Sequence, residues 1–200
     1  MFDRRLRQWL QPGLGWIAGG LAQVGATPNQ LTLAGAVLGS AAGIAVGCGA
    51  FLPALALMGL SRLADGLDGP LARLKGSTDF GGYADILADY LFYAAVPLGF
   101  AVLSPANALA TAVLLASYLF TAVSFLAYSS LAQKRGRSEE ADGRGFIFQT
   151  GLAEGAETIA AYILMLLVPG WYAWIAGVFA AVCLYTAFSR TVLAWRRFRD

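Results

Sequence analysis

Residues 65–89 read DGLDGPLARLKGSTDFGGYADILAD, placing four aspartates, Asp65, Asp68, Asp85 and Asp89, in a chain that is otherwise largely apolar. Burying a carboxylate in such surroundings is costly unless its charge is compensated. Asp65 and Asp68 are spaced i,i+3 and Asp85 and Asp89 i,i+4, so each pair projects from one face of a helix. The turn around Gly76-Ser77-Thr78 is short, which makes the two helices antiparallel and lets their polar faces meet beside it. Four carboxylates gathered there cannot all stay ionised without cations.

Outward from this stretch the chain reads as a polytopic membrane protein. Its 200 residues are 58% hydrophobic and only 13% charged, too little charge for the surface of a soluble domain of that size. Apolar runs of about 20 residues recur along the whole length. The expected fold is an all-α integral membrane protein with six transmembrane helices, roughly 30–48, 53–75, 80–103, 107–133, 147–168 and 171–194. No second domain is expected within 1–200. Residues 1–27 read as an interfacial amphipathic segment, with Phe2, Leu6, Trp9 and Leu10 on one side and Arg4, Arg5 and Arg7 at headgroup level. A cleaved leader is disfavoured, because Pro12 and Gly13 break the apolar run and Gln8, Gln11 and Gln23 interrupt it. Pro28-Asn29 reads as a helix entry with Asn29 as the cap.

The breaks after the first, third and fifth spans are short and uncharged, whereas those after the second, fourth and sixth carry charge. With both termini in the cytoplasm, all 14 Lys and Arg residues fall in cytoplasmic segments or in the cytoplasmic halves of spans. The acidic residues Asp65, Asp68, Asp85, Asp89, Glu154 and Glu157 then share one layer, as a polar cavity open to the cytoplasm would require.

The chain has no histidine, and Cys48 and Cys183 show no CxxC spacing. Imidazole acid–base chemistry, a zinc site and a disulfide framework are therefore not expected. The carboxylates suit hard divalent cations with oxygen ligands. Two such cations bridged by shared carboxylates would suit phosphoryl chemistry by clamping the attacking and leaving oxygens. Gly66, Gly69, Gly81 and Gly82 cost helix propensity but allow close approach of backbone and substrate. Arg62 and Arg73 could neutralise part of the negative charge. A different reading of the same aspartates is a small cation carrier, but with all the charge in one leaflet no polar path crosses the outer half.

Asp65-x-x-Asp68-Gly69-x-x-Ala72-Arg73, seven residues, then Gly81-x-x-x-Asp85-x-x-x-Asp89 resembles the signature of the CDP-alcohol phosphotransferases (CDP-alcohol phosphatidyltransferases), integral membrane enzymes of phospholipid synthesis. The middle spacer is commonly eight residues, so this chain departs from the pattern at the connecting turn. The six-span layout also agrees with the family, and the resemblance covers nearly the whole chain.

The resemblance implies transfer of a phosphatidyl group from CDP-diacylglycerol to the hydroxyl of a small polar alcohol, with release of CMP. It implies two divalent cations, Mg2+ or Mn2+, held by Asp65, Asp68, Asp85 and Asp89. Asp89 would also be the general base that deprotonates the acceptor hydroxyl for attack on the β-phosphorus. Gly69, Ala72 and Arg73 match positions lining the cytidine nucleotide, and Asn29 and Thr32 match a segment near the donor diphosphate. A homodimer in the cell inner membrane, with its active site facing the cytoplasm, is also implied, and nucleic acid is not an expected partner. Within the same family, transfer of a head group from a soluble CDP-alcohol to a lipid alcohol is the alternative reaction.

Arg62 reaches either a donor or acceptor phosphate or the aspartates as a counter-ion. Asn29 and Thr32 read equally as a helix cap and an ordinary threonine. Glu154 and Glu157 would line the acceptor pocket, or lie at the cytosolic rim and pair with loop arginines such as Arg144. Arg190 is either an acceptor contact or a snorkelling anchor. Family members that use a phosphorylated acceptor generally need extra basic residues, which are few here. The two glutamates point instead to a hydroxyl-rich or amine-bearing alcohol.

Overall fold

The structure, a computed structural model, describes residues 2–135, 141–142, 146–147 and 155–199, with backbone alone for 2–10 and the two dipeptides. Seven helices run in chain order among the described residues: α1 (Phe2–Gln23), α2 (Pro28–Gly47), α3 (Phe51–Lys75), α4 (Asp79–Leu103), α5 (Ala108–Lys134), α6 (Gly155–Leu167) and α7 (Tyr172–Phe198). Short 3-10 turns at Pro105–Asn107 and Pro169–Trp171 lead into α5 and α7. Ala141–Asp142 (β1) and Phe146–Ile147 (β2) pair antiparallel.

Helices α2 to α5 and α7 cover the expected segments to within a few residues, with Gly or Pro bordering α2, α3 and α4 at their C-terminal ends. Two expectations need correction. The span expected over 147–168 does not open at 147, where Phe146 and Ile147 are extended and paired, as aromatic and β-branched residues favour; its described helical part is α6, Gly155–Leu167. The cap of α2 is Thr27 rather than Asn29. The Thr27 hydroxyl accepts from the Gln30 amide while the Gln30 side chain accepts from the Thr27 amide, a capping box with Pro28 in the first helical position. Pro12 does not end α1, which continues through it to Gln23. The side chains of Phe2, Leu6, Trp9 and Leu10 lie outside the described residues.

Four stretches are long and apolar enough to cross a membrane by length and composition: Pro28–Gly47, Asp79–Leu103, Pro105–Lys134 and Pro169–Phe198. Helix α6 is apolar but shorter, and α3, with five charged residues among its 25, falls outside that set. Large apolar side chains point outward on every one of the long helices, among them Ile44, Leu52, Leu109 and Trp174. Outward-facing apolar surface on this scale is what a lipid-facing protein presents.

Helix α2 packs against both α3 and α4, α5 packs against α7, and α6 meets α7 and α3. The core that joins these groups includes Met58, Phe92, Phe100, Leu114, Tyr162 and Tyr172. Helices α2 and α4 touch backbone to backbone. A Cβ on Gly43 would collide with the Ala95 carbonyl, and one on Gly99 with the Gly43 carbonyl and Val46.

Pro97 lies inside α4, where it cannot donate to the Tyr93 carbonyl one turn back. The Tyr162 hydroxyl on α6 donates to that carbonyl instead, at 2.6 Å, and the Tyr118 hydroxyl lies 3.0 Å from the Tyr162 hydroxyl oxygen. A lost intrahelical bond thereby becomes a tie between helices.

Candidate functional site

Helices α3 and α4 are joined by Gly76, Ser77 and Thr78 alone. Gly76 has φ +97°, a conformation that side-chain-bearing residues rarely adopt. Thr78 caps α4 by accepting from the Gly81 amide at 3.0 Å. This tight reversal, with the polar faces set by the i,i+3 and i,i+4 spacings, brings the aspartates together. Asp65, Asp68 and Asp85 each offer one carboxylate oxygen, all within 4.8 Å of one another, and Asp68 and Asp85 are buried.

Two further helices hold this cluster. From α2, the buried Thr32 hydroxyl donates to Asp68 Oδ2 at 2.8 Å and lies 3.2 Å from the Pro28 carbonyl of its own helix. Asn29 sits one turn earlier, where its Oδ1 would be 3.2 Å from a Cβ on Gly81. The α2 entry therefore lies against the start of α4. From α1, Leu14 packs over Gly66, between the two aspartates of α3.

Asp89, one helical turn beyond Asp85, is engaged by an arginine. Arg62 Nη1 donates to Asp89 Oδ1 at 2.8 Å and lies 3.6 Å from Asp65 Oδ2. Arg62 Nη2 donates to Ser61 Oγ at 3.3 Å, and the guanidinium stacks over Phe92 at 3.9 Å. Ser61 is itself held by donating to the Gly35 carbonyl at 2.7 Å. Of the two roles open to Arg62 in the sequence, the counter-ion contact is the one its side chain makes. Ser61 and Phe92 were not singled out from the sequence. Phe92 was within reach of inspection, since it follows Asp89 by three residues and shares its face of α4.

The other candidates lie around this centre. Gly69 and Ala72 are half-buried on α3, and Arg73 is exposed in its last turn. Glu157 is half-buried in the first turn of α6 beside the buried Thr158, and Glu154 lies outside the described residues. Arg190 on α7 is buried, donates to the Thr121 carbonyl of α5 at 3.2 Å and faces the Phe125 ring at 5.5 Å. It therefore braces two helices from inside rather than snorkelling to a surface.

Three converging carboxylates, two of them buried, with Arg62 beside them, form an oxygen-only donor set. That set fits a hard divalent cation and offers nothing to a softer one.

Comparison with known proteins extends this picture. The sequence profile of the CDP-alcohol phosphatidyltransferases matches residues 26–188. A curated relative, inner membrane protein YnjF of Escherichia coli (strain K12), is 43% identical over 196 residues, covering 95% of this chain and 93% of its own. Among solved structures, Mycobacterium tuberculosis phosphatidylinositol phosphate synthase with CDP-DAG bound shares the fold with a TM-score of 0.73. It is 22% identical and covers 91% of this chain and 93% of its own. The same synthase in complex with manganese and citrate gives a TM-score of 0.70 at 22% identity, covering 91% and 88%. With the matched profile spanning both aspartate-bearing helices and most of the fold, the chain belongs to the CDP-alcohol phosphatidyltransferase family.

Proposed function

We propose that the protein transfers a phosphatidyl group from CDP-diacylglycerol to the hydroxyl of a small polar alcohol and releases CMP. The convergence of Asp65, Asp68 and Asp85 within 4.8 Å, one helical turn from Asp89, carries this reading. Family membership and the CDP-DAG complex of the structurally similar synthase support it.

In this reading Asp65, Asp68, Asp85 and Asp89 hold two divalent cations, Mg2+ or Mn2+, which when bound stabilise charge on the diphosphate and on the leaving CMP. Asp89 takes the proton from the acceptor hydroxyl as its oxygen attacks the β-phosphorus. Gly69 and Ala72 leave room for the cytidine ring, and Arg73 at the exposed end of α3 pairs with phosphate. Asn29 orients the donor from the entry of α2. Glu154, Glu157 and Arg190 line the acceptor side, and Arg62 reaches the acceptor once it leaves Asp89. The acidic character of that side favours a hydroxyl-rich or amine-bearing alcohol.

Six spans, cytoplasmic termini and a cytoplasm-facing site complete the proposal, with 1–200 as a single domain in the inner membrane and α1 as its interfacial segment. The distribution of Lys and Arg supports the orientation, and the name of the Escherichia coli relative supports the membrane. A homodimer, implied by the family resemblance, belongs to the same proposal.

The deciding assay supplies purified protein with Mg2+ or Mn2+, CDP-diacylglycerol and a panel of polar alcohols. CMP release that depends on one of those alcohols is expected. Absence of release with every alcohol, in protein shown to be folded, would overturn the proposal.

Thr32 tests the metal reading separately. Thr32→Val keeps the shape and removes the hydroxyl that holds Asp68, so Mn2+ should bind about 10- to 100-fold more weakly. Unchanged Mn2+ affinity would mean that the hydroxyl does not position a ligand.

A further inference from the structure

Arg62 stands out as a cation already installed among the carboxylates. Its side chain is 12% exposed, and its guanidinium is fixed on several sides at once. Nη1 is on Asp89 and near Asp65, Nη2 is on Ser61, and the plane lies over Phe92. Its Nε is buried and makes no hydrogen bond among the described residues. Three carboxylates converge without Asp89, and the fourth is occupied by this arginine. A guanidinium keeps its charge at any working pH and presents a rigid fork to a carboxylate.

We infer that Arg62 is a positioning residue that makes the two cation positions unequal. One divalent cation enters among Asp65, Asp68 and Asp85 without disturbing Arg62's contact with Asp89. A second cation that uses Asp89 meets a positive charge 2.8 Å from the oxygen it needs, and must displace or share that contact. Repulsion between neighbouring cations in a poorly solvated site is substantial, so the second ion binds more weakly. The same arginine stabilises the cation-free protein by keeping Asp89 and Asp65 from facing each other uncompensated. This inference rests on the metal reading proposed above and concerns how the positions differ, not whether they exist.

The test is an Mn2+ titration of the purified full-length protein in detergent or nanodiscs without nucleotide, following free Mn2+ by electron paramagnetic resonance. In the wild type, two binding events separated by at least about tenfold in Kd are expected, a gap of about 1.4 kcal/mol. Arg62→Gln should tighten the weaker event at least about tenfold and leave the tighter one nearly unchanged. Arg62→Lys, which keeps charge but loses the fork and the stacking, should fall between. Asp89→Asn should retain the tight event and lose the weak one. Thermal melting in EDTA should show Arg62→Gln less stable than wild type, with the difference closing on addition of Mn2+.

Two wild-type events of equal affinity would overturn the inference, and this result needs no variant to fold. An Arg62→Gln curve identical to wild type would overturn it too. No Mn2+ bound by folded wild-type protein would instead overturn the metal reading itself.

Discussion

Asp89→Asn is expected to lower the rate of CMP release by about 10²- to 10⁴-fold, the range that positioned general acid–base groups contribute, while donor binding is largely kept. The structure explains why this variant should isolate chemistry from folding. Asn retains an Oδ1 in the place where Arg62 Nη1 now donates at 2.8 Å, so the tie between α3 and α4 persists. What disappears is the negative charge and the capacity to take a proton. Asp65, Asp68 and Asp85 are untouched, so their shared cation position remains. The measurement pairs initial rates of CMP release with thermal melting of the same preparation. A wild-type rate from a folded Asp89→Asn protein would remove Asp89 as the base. A variant that fails to melt cooperatively would show that the Arg62 contact needs the carboxylate charge.

The second large effect concerns the scaffold. Gly43→Ala and Gly99→Ala are each expected to destabilise the protein by about 1–3 kcal/mol, the usual cost of forcing atoms into a filled interior. At both positions the obstacle is neighbouring backbone, which has no rotamer to yield: the Ala95 carbonyl for Gly43, and the Gly43 carbonyl for Gly99. Alanine's better helix propensity returns about 1 kcal/mol, which does not offset helices being pushed apart. Gly177→Ala provides the control, because nothing lies within 4 Å of a Cβ there, and it should be neutral or mildly stabilising. The site should register the change as well. Helix α2 carries Thr32, which holds Asp68 of α3, and α4 carries Asp85, so moving α4 away from α2 draws Asp85 away from the Thr32-held Asp68. Thermal melting with parallel Mn2+ titration reads both effects, and a Gly43→Ala protein as stable as wild type would refute the close-contact argument.

Much of this was legible in the sequence because it is local. Apolar runs bounded by Gly and Pro locate helix ends, and two spacings with a three-residue turn bring four aspartates to one end of a hairpin. The features that escaped join distant parts of the chain. The bond from Thr32 to Asp68 spans 36 positions and that from Tyr162 to the Tyr93 carbonyl spans 69. Neither leaves a periodic trace. Arg62 was open to two readings because a long side chain one turn from Asp65 can reach a ligand or a neighbour equally well, and its contacts with Phe92, Ser61 and Asp89 leave no trace in the local spacing. The cap of α2 was misplaced by two residues for a simpler reason. Asn29 is a good capping type, but the Thr27–Gln30 pair satisfies two amides at once and outcompetes it.

The charge carried by α3 has a consequence for how the protein enters the membrane. In the six-span reading, each aspartate or arginine near a helix centre costs about 2.5–3.5 kcal/mol during insertion, and α3 brings five charged residues. Its neighbours α2 and α4 are long and apolar enough to cross a membrane by length and composition, and both are tied to α3 by short connections. Thr32, Ser61 and the Arg62–Asp89 pair are contacts that α3 makes only when those neighbours are present. Helix α3 is therefore expected to be retained in the bilayer as the middle member of a three-helix unit, so its biogenesis is a cooperative event rather than a property of its own segment.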